Sequence, residues 1–259
     1  MSKYLKVFSL SCRHTWHNKK ALIGLALFLI VCLVIFANLW EVIARRRGLT
    51  AMNPQELLWY IALNQWILVA IPRTEKVIER DFRTGKLAYL IPRPMSYLGY
   101  VFVEGCGQAF VYMGVLGVIS SVFTWAFVGP ITISGWGLVV AFVSGLFALI
   151  LGIIFKMIIG LLAFWMHDVD PMAWIFEKSL FTLGGLLLPL SAYPPVWQAV
   201  AKYTPFSVIL GGRSALALHY SPVIAFELLA QLLLWIVLGC MMMGLLYRRG
   251  LKIISIGGG

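Results

Sequence analysis

Acidic residues are scarce in this sequence. Ten Asp and Glu stand against 21 Lys and Arg among 259 residues, and charged residues make up 12% of the chain, where soluble domains carry about 25%. A soluble globule is thereby excluded, because an apolar interior of this size needs a polar coat that the chain does not supply. Disorder is excluded as well, since it requires high charge and low hydrophobicity. Cys12, Cys32, Cys106 and Cys240 are too far apart for a zinc knuckle or a redox pair, so no disulfide framework is expected. His14, His17, His167 and His219 show no metal-ligand spacing, and no metal site is expected. Thr84, Gly85 and Lys86 end like a phosphate-binding loop, but Arg80 stands where that motif needs its first glycine. The stretch Gly212–Leu216 falls one glycine short of a nucleophile elbow. No catalytic residue is assigned.

What is abundant is apolar. Hydrophobic residues make up 61%, and the mean hydropathy is +0.90. A helix crosses the hydrocarbon core of a bilayer in about 20 residues, with its backbone polar groups satisfied internally. Six apolar runs are read as spans: Ala21–Trp40, Glu56–Ile71, Val101–Val128, Trp136–Trp165, Met172–Pro189 and Val223–Tyr247. The first follows a basic stretch, as a signal peptide would, but it is long enough to span and has no convincing cleavage site. The expected fold is all-α and integral to the membrane, one transmembrane domain over residues 1–259. The net charge of +11 lies between the apolar runs and not on one soluble face, which argues for membrane orientation and against nucleic acid. With the N-terminus inside, fifteen basic residues fall on the inner side and five on the outer: Arg45, Arg46, Arg47, Lys202 and Arg213. Both termini are therefore expected in the cytoplasm, with the Arg45–Arg47 triplet as the main contrary signal.

Four segments stand out around the spans. Residues 1–20 mix Tyr4, Leu5, Phe8 and Trp16 with Lys and Arg, as an interfacial elbow helix would. Residues 73–94 hold nine charges in 22 positions. There a helix over Arg73–Thr84 is expected to stop at Gly85, with Pro92 and Pro94 barring continuation. Its Val77, Ile78 and Phe82 form an apolar ridge suited to docking in a groove of a soluble partner. Residues 190–222 are divided by prolines into pieces too short to span; helices near Val196–Tyr203 and Phe206–Leu218 are expected to dip into the outer leaflet as a gate or a cap. Residues 248–259 form a basic tail.

Charges inside spans are costly and serve as functional candidates. Lys156 shares a face with Gly145, Gly152 and Ala163, which predicts contact with protein and not lipid. Glu104 with Gln108 and Glu227 with Gln231 are i,i+4 polar pairs expected to turn inward, as helix-to-helix links or as part of a substrate path. His167, Asp168 and Asp170 read as a polar turn.

With these pieces placed, the chain resembles the membrane subunit of type-2 ATP-binding-cassette exporters, in the branch whose permeases are encoded apart from their ATPase. The resemblance rests on VIERDFRTGKLAYLIPRP, FWMHDVD, GGLLLPLSAYPPVWQAVAKYTPF and the RRGLK tail, in that order. It implies a six-helix half-transporter in a bacterial inner membrane, paired with an identical or related permease and with two ATPase subunits. Those subunits would bind ATP and Mg, with no cofactor held by this chain. It also implies an ATPase-coupling segment at Glu75, Val77, Ile78, Glu79, Arg80, Asp81, Phe82, Arg83 and Gly85. An outer gate is implied at Pro189, Tyr193, Pro194, Trp197, Pro205 and Phe206. Two rival readings are an intramembrane enzyme using His167, Asp168 and Asp170 on a lipid-linked substrate, and an ion-driven transporter using Glu104, Lys156 and Glu227.

Overall fold

The structure is a computed structural model that describes residues 2–45, 53–90, 94–130, 135–186 and 188–257. Arg46, Arg47, Pro92 and Arg93 lie outside the described residues, as does the side chain of Arg45. The regular elements among the described residues are all helical: α1 (Ser2–His17), α2 (Lys19–Arg45), α3 (Pro54–Ala70), α4 (Thr74–Arg83), α5 (Lys86–Leu90), α6 (Tyr97–Val128), α7 (Gly135–Leu161), α8 (Asp170–Thr182), α9 (Pro195–Lys202), α10 (Pro205–Ile209), α11 (Gly211–Leu218) and α12 (Pro222–Gly257).

Four helices, α2, α6, α7 and α12, are long and apolar enough to cross a membrane by length and composition. They correspond to the first, third, fourth and sixth expected spans. The second run becomes α3, whose 17 residues extend about 25 Å. Every residue from Leu57 to Gln65 is buried there, so α3 is a central helix, apolar on all sides because protein surrounds it. The fifth run departs from expectation. Helix α8 ends at Thr182 and not at Pro189, and its 13 residues reach only about 20 Å. The cause is local: Gly185 adopts φ +66°, a left-handed turn closed to most residues, and the carbonyl of Gly184 accepts a hydrogen bond from the amide of Gly211 at 2.8 Å.

Small residues set how closely the helices approach. A side chain at Gly145 would meet Ile67 and Met113, and one at Gly152 would meet Ile71, so α7 lies close against α3 and α6 along the small face that includes Lys156. Helix α1 breaks from α2 at Asn18 and lies along α6, where Gly107 leaves room for Ser11 and Phe8. There the Ser11 hydroxyl donates to the Glu104 carbonyl at 2.6 Å, and the rings of Phe8 and Phe110 stand 5.9 Å apart. Leu5, Leu10 and Trp16 remain exposed on the other side of α1.

The bundle has two distinct ends. At one, Lys76 reaches Asp170, Phe82 meets Phe164, and Tyr97 stacks on Tyr247. These contacts gather the charged 73–90 segment, the turn before α8 and the last part of α12. At the other, Gln55 donates to the Pro130 carbonyl at 2.7 Å and Trp59 to that of Gly129 at 3.3 Å.

Candidate functional site

The segment TEKVIERDFR folds as α4 with opposite faces of different character. Thr74, Glu75, Ile78, Glu79 and Asp81 are buried, while Arg73, Arg80 and Arg83 face out. The helix stops where the sequence predicts, at Gly85 with φ +68°, whose amide donates to the Phe82 carbonyl. Its seat is made by glycines of other helices. A Cβ on Gly160 of α7 would lie 2.9 Å from the Glu75 Cα, and one on Gly105 of α6 would lie 2.8 Å from the Thr74 methyl. The apolar ridge expected to meet a partner instead faces the bundle: Ile78 is 1% exposed, and Phe82 packs edge-on against Phe164 at 5.1 Å. The physical reason is proximity, because the end of α7 covers this ridge within the same chain. Val77 is half-buried.

Most of the charges fasten the segment in place. Glu79 takes Lys76 at 2.9 Å and Arg83 at 2.8 Å, and Lys76 also reaches Asp170 at 2.5 Å. Burial works against the Lys76 charge, but its hydrogen bonds to Asp170 and Glu79 carry its pKa above the ordinary lysine value. Asp81 accepts from the Tyr97 hydroxyl at 3.3 Å and pairs with Lys86 at 3.3 Å. Arg83 also donates to the His167 carbonyl. Of the nine residues implied for coupling, Glu75, Ile78, Glu79 and Asp81 therefore point inward, while Arg80, Arg83 and Gly85 stand on the surface. Tyr89 of α5 joins that surface at 78% exposure.

Lys156 is the joint between this segment and the helices above it. It is 4% exposed, with its Nζ 3.3 Å from Oε1 of Glu75 on α4 and 2.8 Å from Oε1 of Glu177 on α8. The ammonium also lies 5.7 Å from the ring centre of Phe176. Burial pushes the Glu75 carboxyl above the ordinary range, against the pull of Lys156. Sequence reasoning found Lys156 and missed Glu177. The available signal was a lone carboxylate in the apolar stretch MAWIFEKSL.

Beside this joint lies a cavity of about 770 Å³ between α2, α3, α6 and α8. Gln108 and Lys156 line it, together with Arg73, Glu177 and Lys178. The other path candidates are elsewhere. Glu104 sits half-buried next to α1. Glu227 is exposed and Gln231 half-buried on α12, so the inward turn expected of Glu227 is corrected: the buried stripe there is Ala225, Leu228 and Leu232, and Glu227 lies on the far side of the helix.

The expected outer helices are present in altered form. Helix α9 matches the first, and Trp197 is 56% exposed on it beside Val196, Val200 and Tyr203. The second breaks at Leu210 into α10 and α11. Tyr193 donates to the Thr182 carbonyl at 2.6 Å, Pro194 is exposed, and Pro189 and Pro205 are buried. Phe206 is half-buried, with its ring 5.9 Å from that of Phe176. Arg213, counted from the sequence as an outer charge, is fully buried: it donates to the Leu63 carbonyl and to Ser214, which in turn donates to Asn64 at 2.6 Å. Sequence reasoning missed this link between α11 and α3.

The turn before α8 uses its acids for structure. Asp168 accepts from the Asp170 amide at 2.9 Å, and Asp170 is engaged by Lys76. Among the described residues no cluster of three His, Cys, Asp or Glu suits a metal ion. The family model described as ABC-2 family transporter protein matches residues 29–258. No curated protein matches the chain.

Proposed function

The chain belongs to the ABC-2 transporter family, as a multi-pass membrane protein of the transport class, and from that premise we propose that it is the permease half of an ATP-driven exporter. Six segments cross a bacterial inner membrane with both termini in the cytoplasm. Helix α3 is the short second span, and α8 with the residues after it forms the fifth. A second permease, identical or related, completes the path, and two separate ATPase subunits bind ATP and Mg. The cavity beside Lys156 is this chain's share of the path, and α9 to α11 close its outer side.

The observation that carries the reading is the Lys156 joint. One buried ammonium holds Glu75 of α4 and Glu177 of α8, so a push on α4 is handed to α7 and α8 instead of being lost in a loose loop. The surface of α4 at Arg80, with Tyr89 of α5, is exposed where the ATPase would meet it, beside Arg83, which Glu79 and the His167 carbonyl hold in place. The engagement of Asp168 and Asp170 by backbone and lysine takes support from the enzyme reading.

Isolation of the full-length chain from its native membrane in mild detergent tests this directly. A cassette ATPase should accompany it, and the double substitution Arg80→Glu with Tyr89→Asp should release that ATPase while the chain still inserts. Recovery of the chain with no ATPase, or an ATPase retained by the double variant, defeats the proposal.

A further inference from the structure

We propose that the cavity beside Lys156 binds a single-tailed anionic amphiphile, its phosphate or carboxylate head held by Arg73 and Lys178 and its tail laid along Leu25, Phe28 and Phe181. On the permease reading, on which the cargo role rests, this is the chemical class that the exporter carries. Three cations and one carboxylate line the space. Lys156 is already matched by Glu75 and Glu177. Arg73 and Lys178 have no carboxylate partner among the described residues. Lys178 is nevertheless positioned, 5.6 Å from the ring centre of Trp174 and 5.7 Å from that of Phe181.

Charge and size restrict the occupant. A cationic ligand meets two uncompensated positive groups, and a neutral one leaves them unused, whereas a phosphate or carboxylate gains charge-assisted hydrogen bonds from both. The volume of about 770 Å³ lies within the range of about 300–1,000 Å³ usual for small-ligand sites. That volume suits a small head with one alkyl chain, and the two long chains of a bilayer phospholipid would have to extend beyond it through the opening. Glu177, half exposed and 2.8 Å from Lys156, stands where a second anion competes with the head. A head that draws Lys156 away from Glu177 changes the balance at the ammonium that also holds Glu75, which links occupancy to α4.

Binding to the purified full-length chain in an uncharged maltoside detergent, followed by native mass spectrometry, tests this without any ATPase. Dodecyl phosphate should bind about tenfold more tightly than dodecylphosphocholine. Arg73→Gln with Lys178→Gln should abolish that preference, and Glu177→Gln should strengthen dodecyl phosphate binding, since it removes the competing anion. These three side chains are exposed, so the fold should be retained, and Arg248→Gln with Arg249→Gln on the distant tail serves as the unaffected control. Two further ligands separate the sources of the anion: phosphatidylglycerol in place of dodecyl phosphate, and inorganic phosphate as competitor. Equal binding of phosphate and phosphocholine heads, a preference untouched by the double substitution, tighter binding of phosphatidylglycerol, or displacement by inorganic phosphate alone each overturns the proposal. A chain that shows the preference but brings down no ATPase refutes the exporter and leaves the site standing.

Discussion

A buried lysine calls for carboxylates within reach, and at Lys156 two stand, of unequal exposure. Glu75 is as buried as the lysine, whereas Glu177 is 50% exposed where it lines the cavity. The two should respond differently to substitution. Lys156→Met leaves Glu75 buried with no cation and should cost about 3–5 kcal/mol, while adding Glu75→Leu should recover most of that loss. Glu177→Gln should cost less than Lys156→Met, because Lys156 keeps Glu75 as its counterion and a glutamine still accepts its hydrogen bond. Thermal unfolding of the four proteins in one detergent reads all three effects, and a Lys156→Met chain as stable as the parent would show that the pair holds nothing. The same carboxyl sets a pH dependence. Burial places the Glu75 pKa above its value in the unfolded chain, with Lys156 opposing. The folded chain therefore binds more protons, and its stability falls as pH rises from about 4.3, the unfolded glutamate value, towards the higher folded one. Glu75→Gln should flatten that part of the melting-temperature profile, and an identical slope in both proteins would rule Glu75 out as its source.

At the scale of the element, α4 works as a lever only if it is seated without play, and glycine provides the seat. A side chain at Gly160 would run into the backbone of Glu75, which cannot swing aside as a flexible side chain can. Gly160→Val should therefore lift α4 from α7 at a cost of about 1–3 kcal/mol. ATP hydrolysis by the assembled complex should then continue while transport falls. Arg80→Glu acts on the opposite face and should leave stability within about 0.5 kcal/mol of the parent while weakening the ATPase contact. Parallel assays of hydrolysis, transport and melting distinguish the two, and loss of ATPase binding in the Gly160 variant would count against a seat. The length of α4 and its stop were legible from the sequence, since charge spacing and Gly85 are local signals. The direction of its ridge was not: periodicity gives Ile78 and Phe82 a common face without saying whether a partner or the chain's own α7 covers it. Lys156 was legible as facing protein from Gly145 and Gly152. Its pairing with Glu177 was hidden because it depends on how α7 and α8 pack. The early end of α8 was masked by apolar residues that continue past Gly184 and Gly185 to Pro189.

For the whole molecule the open matter is which helices reach from face to face. Length and composition single out α2, α6, α7 and α12, yet the contacts of α3 show that it too runs between the ends. Near its start Gln55 and Trp59 bond to the residues just after α6, and just past its end Thr74 lies against Gly105, far back along the same helix. In the proposed six-span arrangement α3 is the short crossing, and its 17 residues are enclosed by protein and not by lipid. Helix α8 begins at the charged end beside Lys76. It gives out near the level of Tyr60, whose hydroxyl donates to the Gly185 carbonyl at 2.6 Å, and the chain continues through the prolines into α9. With Trp197, Val200 and Tyr203 exposed, α9 has the composition of a helix at a membrane surface, and in a six-span arrangement that surface is the outer one. Single cysteines at Arg80→Cys and Trp197→Cys, placed in a chain whose four native cysteines are changed to serine or alanine, decide the matter. A membrane-impermeant maleimide should label Trp197→Cys in intact cells and Arg80→Cys only in inverted vesicles. Labelling of both from one side would mean that the segment from α8 to α9 turns back before it crosses. The basic residues of α4 would then mark the face on which α9 also lies, and the path would have to be drawn with five spans, α2, α3, α6, α7 and α12, and not six.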